Sequence, residues 1–276
     1  MLQTKDLTIR FGGHVAVNAV SCAFAPGTLT AIVGPNGAGK TTYFNLISGQ
    51  LKASAGSVTL DGRDISSLGV SARTRAGLGR AFQLTNLFPN LSVAENVRLA
   101  VQATRSGRHR RGLNLWSIWS DHQSLIDRAD EILGAVAMLE QADAVVASLA
   151  HGDQRKLEVA LLMALESRVF MFDEPTAGMS VDEAPVILNL IRALKNDPTK
   201  TILLVEHKMD VVRELADRII VLHNGALVAD GDPAEVIASP IVQEAYLGAG
   251  PKDGLTQDGY PPQPSLPPAG GSSKSP

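Results

Sequence analysis

The stretch that decides the fold is "GTLTAIVGPNGAGKTT", residues 27–42. Its first half is a short run of apolar and β-branched residues, which is typical of a buried strand. Glycines then interrupt the run, and the residues from Lys40 onward have the spacing of a helix. The order of strand, glycine-rich turn and helix fits the pattern G-x-x-x-x-G-K-[ST] of a phosphate-binding loop.

The residue types of this loop suit phosphate chemistry. Glycines let the backbone curl so that its N–H groups point inward, and the helix N-terminus adds its dipole. We expect Lys40 to reach the β and γ phosphates, Thr41 to ligate Mg²⁺ and Thr42 to donate to a phosphate. A glycine turn before an ordinary helix would leave this combination unexplained. The expected binding residues are Gly34, Pro35, Asn36, Gly37, Ala38, Gly39, Lys40, Thr41 and Thr42.

A second stretch, "VFMFDE" at residues 169–174, predicts the other half of the site. Four apolar residues indicate a buried strand that ends at Asp173 and Glu174, and α/β sheets bind ligands at the carboxyl ends of their strands. Asp173 is placed to hold Mg²⁺ through water. Glu174 is placed to polarise the water that attacks the γ phosphate.

The composition sets the class of protein. The chain has 276 residues, of which 45% are hydrophobic and 19% charged, with a net charge of −3. This balance gives no general attraction to nucleic acid, and no nucleic-acid partner is expected. The single cysteine, Cys22, excludes an internal disulfide and is expected to be buried and inert. We find neither a signal-peptide pattern nor an apolar run of about 18–20 residues, so we expect a cytosolic chain.

The remaining pattern predicts an α/β fold. "RVFMFDE" and "KTILLVEH" favour buried parallel strands, whereas "SVTLDGRDI" and "VLHNGALVADG" favour hairpins that turn at Asp-Gly and Asn-Gly. A small β-rich part lies near the start, and a helical insert is expected from roughly 90 to 165. In "DRADEILGAVAMLEQ", residues 127–141, one apolar helical face contains Ala129, Ile132, Leu133, Val136 and Leu139.

Two segments have unusual composition. Residues 249–276 are rich in Gly, Pro and Ser, and we expect a disordered tail after a body that ends near Gly248. Residues 105–123 combine arginines with two tryptophans, namely Arg105, Arg108, Arg110, Arg111, Trp116 and Trp119. A solvated surface loop is the favoured interpretation, while contact with nucleic acid or with a membrane-bound partner stays open.

In motif content and order, residues 1–248 resemble the ATP-binding subunits of ABC transporters. "GPNGAGKTT" is similar to Walker A, "VFMFDEPTAG" to Walker B, and "LAHGDQR" at 149–155 occupies the signature position. Gln83 in "GRAFQLTNLF" is similar to the Q-loop glutamine. His207 in "LLVEHKMDVV" is similar to the switch histidine, and Phe11 in "IRFGG" to the ring that stacks on adenine.

This resemblance implies a P-loop NTPase core with a mostly parallel sheet, an N-terminal antiparallel β subdomain and an inserted helical subdomain. It implies ATP and Mg²⁺ as cofactors. Catalysis falls to Glu174, His207 and Gln83, and the metal to Thr41, Gln83 and Asp173. Phe11 would stack on adenine, and the Gly152 N–H would contact the nucleotide of a second subunit.

The helical insert and the ending "SPIVQEAYLG" resemble bacterial branched-chain amino acid importers, and more broadly the hydrophobic amino acid and amide uptake group. That resemblance implies a second ATP-binding subunit, two membrane-spanning permease subunits and a periplasmic solute-binding protein that acts through them. The chain would then be peripheral on the cytoplasmic face of the membrane. Urea, short amides and aromatic acids stay open as solutes. The rival function is a soluble ABC ATPase without a membrane partner.

One departure from the family pattern affects the signature. Ala150 stands where the family usually has a serine that donates to the partner's γ phosphate, and Ser180 stands where many relatives have aspartate. A homodimer would then have two weakened sites. In a heterodimer, the site built on Lys40 and Glu174 would use the intact signature of the partner. We favour the heterodimer because the hydrolytic residues of this chain are complete.

Overall fold

The structure is a computed structural model that describes residues 1–81, 87–108, 123–240 and 242–243, without the side chains of 105–108. Gln83, most of the Arg/Trp stretch and the expected tail lie outside the described residues. None of the described helices combines the length and apolar character needed to cross a bilayer. The strands are Leu2–Phe11 (β1), His14–Phe24 (β2), Thr28–Val33 (β3), Ala55–Leu60 (β4), Arg63–Asp64 (β5), Leu78–Ala81 (β6), Val169–Asp173 (β7), Thr201–Val205 (β8), Arg218–His223 (β9) and Ala226–Gly231 (β10). The α-helices are Lys40–Ser48 (α1), Val70–Arg75 (α2), Val93–Arg108 (α3), Gln123–Ala135 (α4), His151–Ala164 (α5), Ala184–Lys195 (α6), Met209–Leu215 (α7) and Pro233–Ala238 (α8).

The larger sheet has six strands in the order β10-β9-β3-β8-β7-β6. Its strands β9, β3, β8, β7 and β6 run parallel, and β10 pairs antiparallel with β9 at one edge. All residues of β7 and β8 are buried, as expected for parallel strands covered on both faces. The prediction of two buried parallel strands is therefore confirmed.

Alternate residues of β8 point into two separate cores. Ile202 and Leu204 belong to the cluster that contains the buried side chains of α3, α4 and α5. Leu203 and Val205 belong to a second cluster, formed with α1 and the first sheet. This alternation follows from the period of two in a strand, and it fixes the sheet between the helical insert and the first sheet.

The smaller sheet is antiparallel, with the order β2-β1-β4-β5. Both predicted hairpins are confirmed, and their turns need positive φ. Asp61 and Gly62 have φ of 51° and 76°, and Asn224 and Gly225 have φ of 48° and 77°. Such values match the turn type that Asp-Gly and Asn-Gly pairs favour. With this sheet and the helical insert in place, the predicted fold class is confirmed.

The prediction that Leu139 lies on the buried helical face of the insert is wrong. Leu139 is 50% exposed. Helix α4 ends at Ala135, and Ala137 has φ of 54°, so the chain leaves the helical path before Leu139. Met138 takes the buried place. The other members of the predicted face are buried, namely Ala129, Ile132, Leu133 and Val136.

Candidate functional site

The loop between β3 and α1 is formed by glycines in conformations that other residues adopt at a cost. Gly34, Gly37 and Gly39 have φ of 151°, 80° and 96°. A Cβ on Gly34 would lie 2.1 Å from the carbonyl oxygen of Leu222, and one on Gly39 would lie 2.5 Å from that of Ala16. The loop therefore has no space for side chains at these two positions, and its backbone is fixed against β9 and β2.

Lys40 begins α1 and folds back over the loop. Its Nζ donates to the carbonyl oxygens of Gly34 at 2.6 Å and Pro35 at 2.9 Å, and the residue is 6% exposed. Burial lowers the pKa of Lys40, while the nearby charges of Glu174 and Asp173 oppose that decrease. The ammonium group thus lies inside the loop and close to both carboxylates that follow β7.

The other loop residues place polar groups around the start of α1. Thr41 is exposed and Thr42 half-buried in the first turn of the helix. Asn36 is exposed at the crown of the loop, and the Ala38 N–H donates to the Pro35 carbonyl oxygen at 3.1 Å. The free N–H groups of a helix start and an exposed hydroxyl are the groups that an anionic ligand and its cation need.

The two carboxylates lie where β7 ends. Asp173 pairs with Val205 of β8 in the parallel register and is 8% exposed. The Glu174 N–H donates to the Val205 carbonyl oxygen at 2.9 Å, and Glu174 has φ of 51°. A left-handed backbone at a non-glycine residue costs about 1–2 kcal/mol and is concentrated at functional sites. Glu174 is thus a candidate functional residue on backbone geometry as well as on position.

His207 lies against Glu174. Its Nε2 is 2.8 Å from Glu174 Oε1, and both side chains are about two-fifths exposed. His207 follows β8 as Glu174 follows β7, and the two strands are neighbours. The arrangement brings a carboxylate and an imidazole, the two groups that most often move or orient protons in enzymes, to one edge of the sheet.

Asp173 has a partner that the sequence analysis missed. Arg80 of β6 donates from Nη2 to Asp173 Oδ2 at 2.7 Å, and the two side chains are only 7% and 6% exposed. From Nη1, Arg80 also donates to Asn45 at 2.6 Å and to Ser48 and Gln50 at 3.1 Å each. Burial raises the pKa of Asp173 and lowers that of Arg80, and the attraction between them opposes both changes. Arg80 thereby joins the end of α1 to the carboxylate of β7.

The model of the ABC transporter family matches residues 17–177, which include the loop, Asp173 and Glu174. The chain belongs to this family. A second family model, described as branched-chain amino acid ATP-binding cassette transporter, matches residues 226–251. As an ABC subunit, the chain binds and hydrolyses ATP.

Curated relatives and solved structures agree with this membership. The chain is 38% identical over 249 residues to the high-affinity branched-chain amino acid transport ATP-binding protein LivG of Salmonella typhimurium, covering 90% of this chain and 98% of LivG. An ATP-binding cassette of an ABC transporter in its ADP conformation superposes with a TM-score of 0.76 at 27% identity, over 90% of this chain and 99% of that one. A dimeric ABC cassette with bound ADP and Pi superposes with a TM-score of 0.69 at 25% identity, over 84% and 99%.

The predicted signature segment, residues 149–155, includes the start of α5. Ala150 is the N-cap, with an extended backbone and no side-chain bond to the helix. Gly152 is buried in the first turn, and a Cβ there would lie 3.0 Å from Glu183 Oε1. Glu183 and Ser180 bond each other's backbone N–H at 3.0 and 3.2 Å. Gly152 thus packs against the segment of Ser180, on a different element from the phosphate loop of its own chain.

Of two further residues that the family resemblance predicts, the structure describes Phe11 but not Gln83. Phe11 is 50% exposed at the end of β1, beside Gly12 with φ of 57°, so it is not a core residue. Its free ring is compatible with stacking on a base. Gln83 lies outside the described residues, as do Arg110, Arg111, Trp116 and Trp119.

A second residue missed from the sequence is Glu206, which lies between β8 and His207. It is 3% exposed and accepts a hydrogen bond from Thr176 Oγ1 at 2.7 Å. Its other oxygen accepts from the His207 N–H at 2.8 Å. The signal in the sequence was an acid directly after five apolar or β-branched residues, where a buried strand continues.

Proposed function

We propose that this ABC subunit hydrolyses ATP to power the uptake of branched-chain or related hydrophobic amino acids. The observation that carries the solute class is the match of residues 226–251 to the branched-chain amino acid model, because that model is specific to this group of transporters and matches outside residues 17–177. The name of the 38% identical LivG supports the same solute class.

In this proposal, hydrolysis is performed by the residues at the sheet edge. Lys40 and the loop N–H groups bind the β and γ phosphates and stabilise the charge that develops there. Glu174 orients the attacking water, and His207 contacts the γ phosphate while holding the Glu174 carboxylate from the side, 2.8 Å away. Gln83 contributes its amide to the water or the metal, and Phe11 stacks on adenine.

The described residues fit Mg²⁺. Among them no cluster of three acidic, histidine or cysteine ligands occurs, which suits a cation that keeps waters and takes few protein oxygens. Arg80 occupies Oδ2 of Asp173, and Oδ1 has no hydrogen-bond partner among the described residues. Thr41, Asp173 through water and Gln83 would hold the metal. When bound, Mg²⁺ neutralises charge on the β and γ phosphate oxygens.

The proposal includes a second ATP-binding subunit in a head-to-tail pair. Gly152 lies at the start of α5 and packs against Glu183, and the dimeric cassette with ADP and Pi supports pairing. Each ATP would be bound by Walker A of one subunit and the signature of the other. Because Ala150 offers no hydroxyl, a heterodimer with an intact partner signature is favoured.

The membrane partners proposed are two permease subunits, with a periplasmic solute-binding protein acting through them. A cavity of about 220 Å³ lies between the nucleotide core and the helical insert, lined by Gln50, Val70, Leu78, Leu87, Leu161 and Leu165. It borders β6 on one side and α5 on the other. A cytoplasmic permease loop bound in this cavity would be displaced when the nucleotide core and the helical insert move relative to each other. The subunit would then be peripheral on the cytoplasmic face of the membrane.

For domain organisation, we place the ATP-binding domain at residues 1–248, with its helical insert at about 90–165 and the tail at 249–276. Helices α3, α4 and α5 fall within the insert. The LivG similarity covers 90% of the chain, which supports a body of this length.

The test is purification of the tagged chain from native membranes, followed by ATPase assays on the recovered complex reconstituted in vesicles. We expect permease subunits to co-purify, and leucine, isoleucine or valine with the binding protein to stimulate hydrolysis. Stimulation by urea, short amides or aromatic acids alone would contradict the solute class. Recovery of ribosomes or DNA without any membrane subunit would support the soluble rival.

A further inference from the structure

The carboxyl group of Glu206 lies beneath the proposed hydrolytic pair. The five residues of β8 before it are all buried, and Glu206 itself is 3% exposed. A carboxyl group at such a position is unfavourable unless donors satisfy its oxygens. Both oxygens have one: Thr176 Oγ1 at 2.7 Å and the His207 N–H at 2.8 Å. Protein donors therefore replace water at both oxygens of the buried Glu206 side chain.

The two donors belong to the two segments that carry the hydrolytic residues. Thr176, itself 2% exposed, lies two positions after Glu174 in the turn that leaves β7. His207 is the residue whose side chain reaches Glu174. The last ladder pair between the strands is Asp173 with Val205. Beyond this pair, the side chain of Glu206 links the end of β8 to the turn after β7 by its hydrogen bond with Thr176.

Neither member of the hydrolytic pair is held by packing alone. The side chains of Glu174 and His207 are 40% and 39% exposed, and Glu174 has a left-handed φ of 51°. Strained and exposed groups keep one geometry only where their surroundings determine it. The buried bridge from Thr176 through Glu206 to the His207 backbone supplies that support on the inner side of the site.

We propose that Glu206 is a positioning residue that sets His207 against Glu174 by tying the β7 turn to the end of β8. The inference rests on the hydrolytic roles proposed for Glu174 and His207. It assigns Glu206 no contact with nucleotide, water or metal. Loss of the bridge lets the His207 backbone and the Glu174 turn shift relative to each other, which lowers turnover while nucleotide binding by the phosphate loop is kept.

The experiment uses the full-length chain and removes each end of the bridge. Glu206→Ala removes both acceptors, and Thr176→Val removes one donor at nearly constant shape, so it serves if the first variant does not fold. Thr176→Ser restores the hydroxyl. The matched control is Thr201→Val, which removes a buried hydroxyl from the opposite end of β8, where Thr201 Oγ1 donates to the Ala25 carbonyl oxygen at 3.3 Å.

Two readouts are combined. The His207 ring resonance in the nucleotide-free chain, one of six histidines and identified by its loss in His207→Gln, reports the contact directly. Turnover is compared with nucleotide affinity measured by a fluorescent ATP analogue. We expect a shifted resonance in Glu206→Ala and Thr176→Val, and a decrease in kcat of about tenfold with affinity changed less than about twofold. Thr176→Ser and Thr201→Val should resemble the wild type.

An unshifted His207 resonance in both Glu206→Ala and Thr176→Val would overturn the proposal, and so would an equal decrease in kcat in Thr201→Val. The resonance is independent of hydrolysis. If Glu174→Gln retained full turnover, the proposed hydrolytic roles would fail, while a shifted His207 resonance would still support the bridge.

Discussion

His207 Nε2 and Glu174 Oε1 lie 2.8 Å apart although 33 positions separate the two residues. Parallel pairing of β7 with β8 brings their carboxyl ends together, so that each strand delivers one member of the pair. A carboxylate and an imidazole in contact at the carboxyl ends of these strands have the chemistry that could orient an attacking water.

Glu174→Gln should keep ATP binding and nearly abolish turnover. The amide preserves shape and the contact with His207, but it cannot orient water as a carboxylate does, and losing such a group costs about 10²–10⁴-fold in rate. Phosphate release and fluorescent nucleotide binding measure the two effects. The exposed Glu140→Gln is the matched control. Undiminished phosphate release from the Glu174 variant would remove this residue from the hydrolytic role.

Lys40→Ala should weaken nucleotide binding. The ammonium group already lies among the loop carbonyls of Gly34 and Pro35, so its phosphate contacts need little rearrangement. Removing a charged donor costs about 1.5–3 kcal/mol, which corresponds to a loss of roughly 10- to 100-fold in affinity. Titration with a labelled nucleotide measures this, with the exposed Lys52→Ala as control. Equal affinity in the two variants would contradict the assignment of the loop.

Arg80→Met should destabilise the chain and raise the Mg²⁺ concentration needed for tight ATP binding, because Arg80 opposes the burial that raises the pKa of Asp173 and its loss favours the protonated carboxyl group. The variant leaves the Asp173 carboxylate buried without its partner, and breaking such a pair costs about 3–5 kcal/mol. Chemical denaturation measures the free energy of unfolding, and nucleotide titration at several Mg²⁺ concentrations measures the second effect. Arg75→Met, on an exposed arginine of α2, is the control. A lower Mg²⁺ requirement would mean that Arg80 competes with the metal.

Ala150→Ser should stabilise α5. Ala150 is the N-cap with φ of −60° and ψ of 156°, the conformation from which a serine hydroxyl accepts a bond from the first-turn N–H groups, a gain of about 1 kcal/mol. If the hydroxyl also reaches a partner's nucleotide, the ATPase rate of the assembled complex should rise. Ala150→Gly is the matched control because glycine also caps but has no hydroxyl. An unchanged ATPase rate would show that the missing hydroxyl does not limit hydrolysis.

Cys22 should react slowly with thiol reagents in the native chain. The residue is 6% exposed, and burial raises the pKa of its thiol, so less of the reactive thiolate is present at neutral pH. Reaction with a chromogenic disulfide measures this, and denaturant should release one fast-reacting thiol per chain because Cys22 is the single cysteine. A fast reaction without denaturant would show that this part of β2 opens readily.

Local pattern predicted the parts of the fold whose cause is local. The loop glycines, the buried strands and the two hairpins depend on residues that are neighbours in the sequence, and all appear where the pattern placed them. Leu139 was misplaced because a left-handed residue at Ala137 ends the helical path, and an alanine gives no signal of that turn. The spacing of apolar residues cannot predict a left-handed backbone at a residue other than glycine.

The missed residues have their cause far away in the sequence. Arg80 reads as one polar residue in a short strand, and only the pairing of β6 with β7 brings it to Asp173, 93 positions later. Glu206 accepts its side-chain hydrogen bond from Thr176, 30 positions earlier. The position of Glu206 after a buried strand was a signal of burial, but its partner, like that of Arg80, could not be read from the sequence because the sheet order determines which residues meet.

The ladder between β7 and β8 pairs residues one to one from Val169 with Thr201 to Asp173 with Val205. Successive side chains alternate in direction, so adding or removing one residue in β7 would exchange the inward and outward places of Asp173 and Glu174, and the same change in β8 would exchange those of Glu206 and His207. Homologues of this chain can therefore diverge here through replacement of side chains, whereas their strand lengths must stay constant. In an alignment of homologues, insertions and deletions should occur in the surface loops and be absent from the ten positions of β7 and β8.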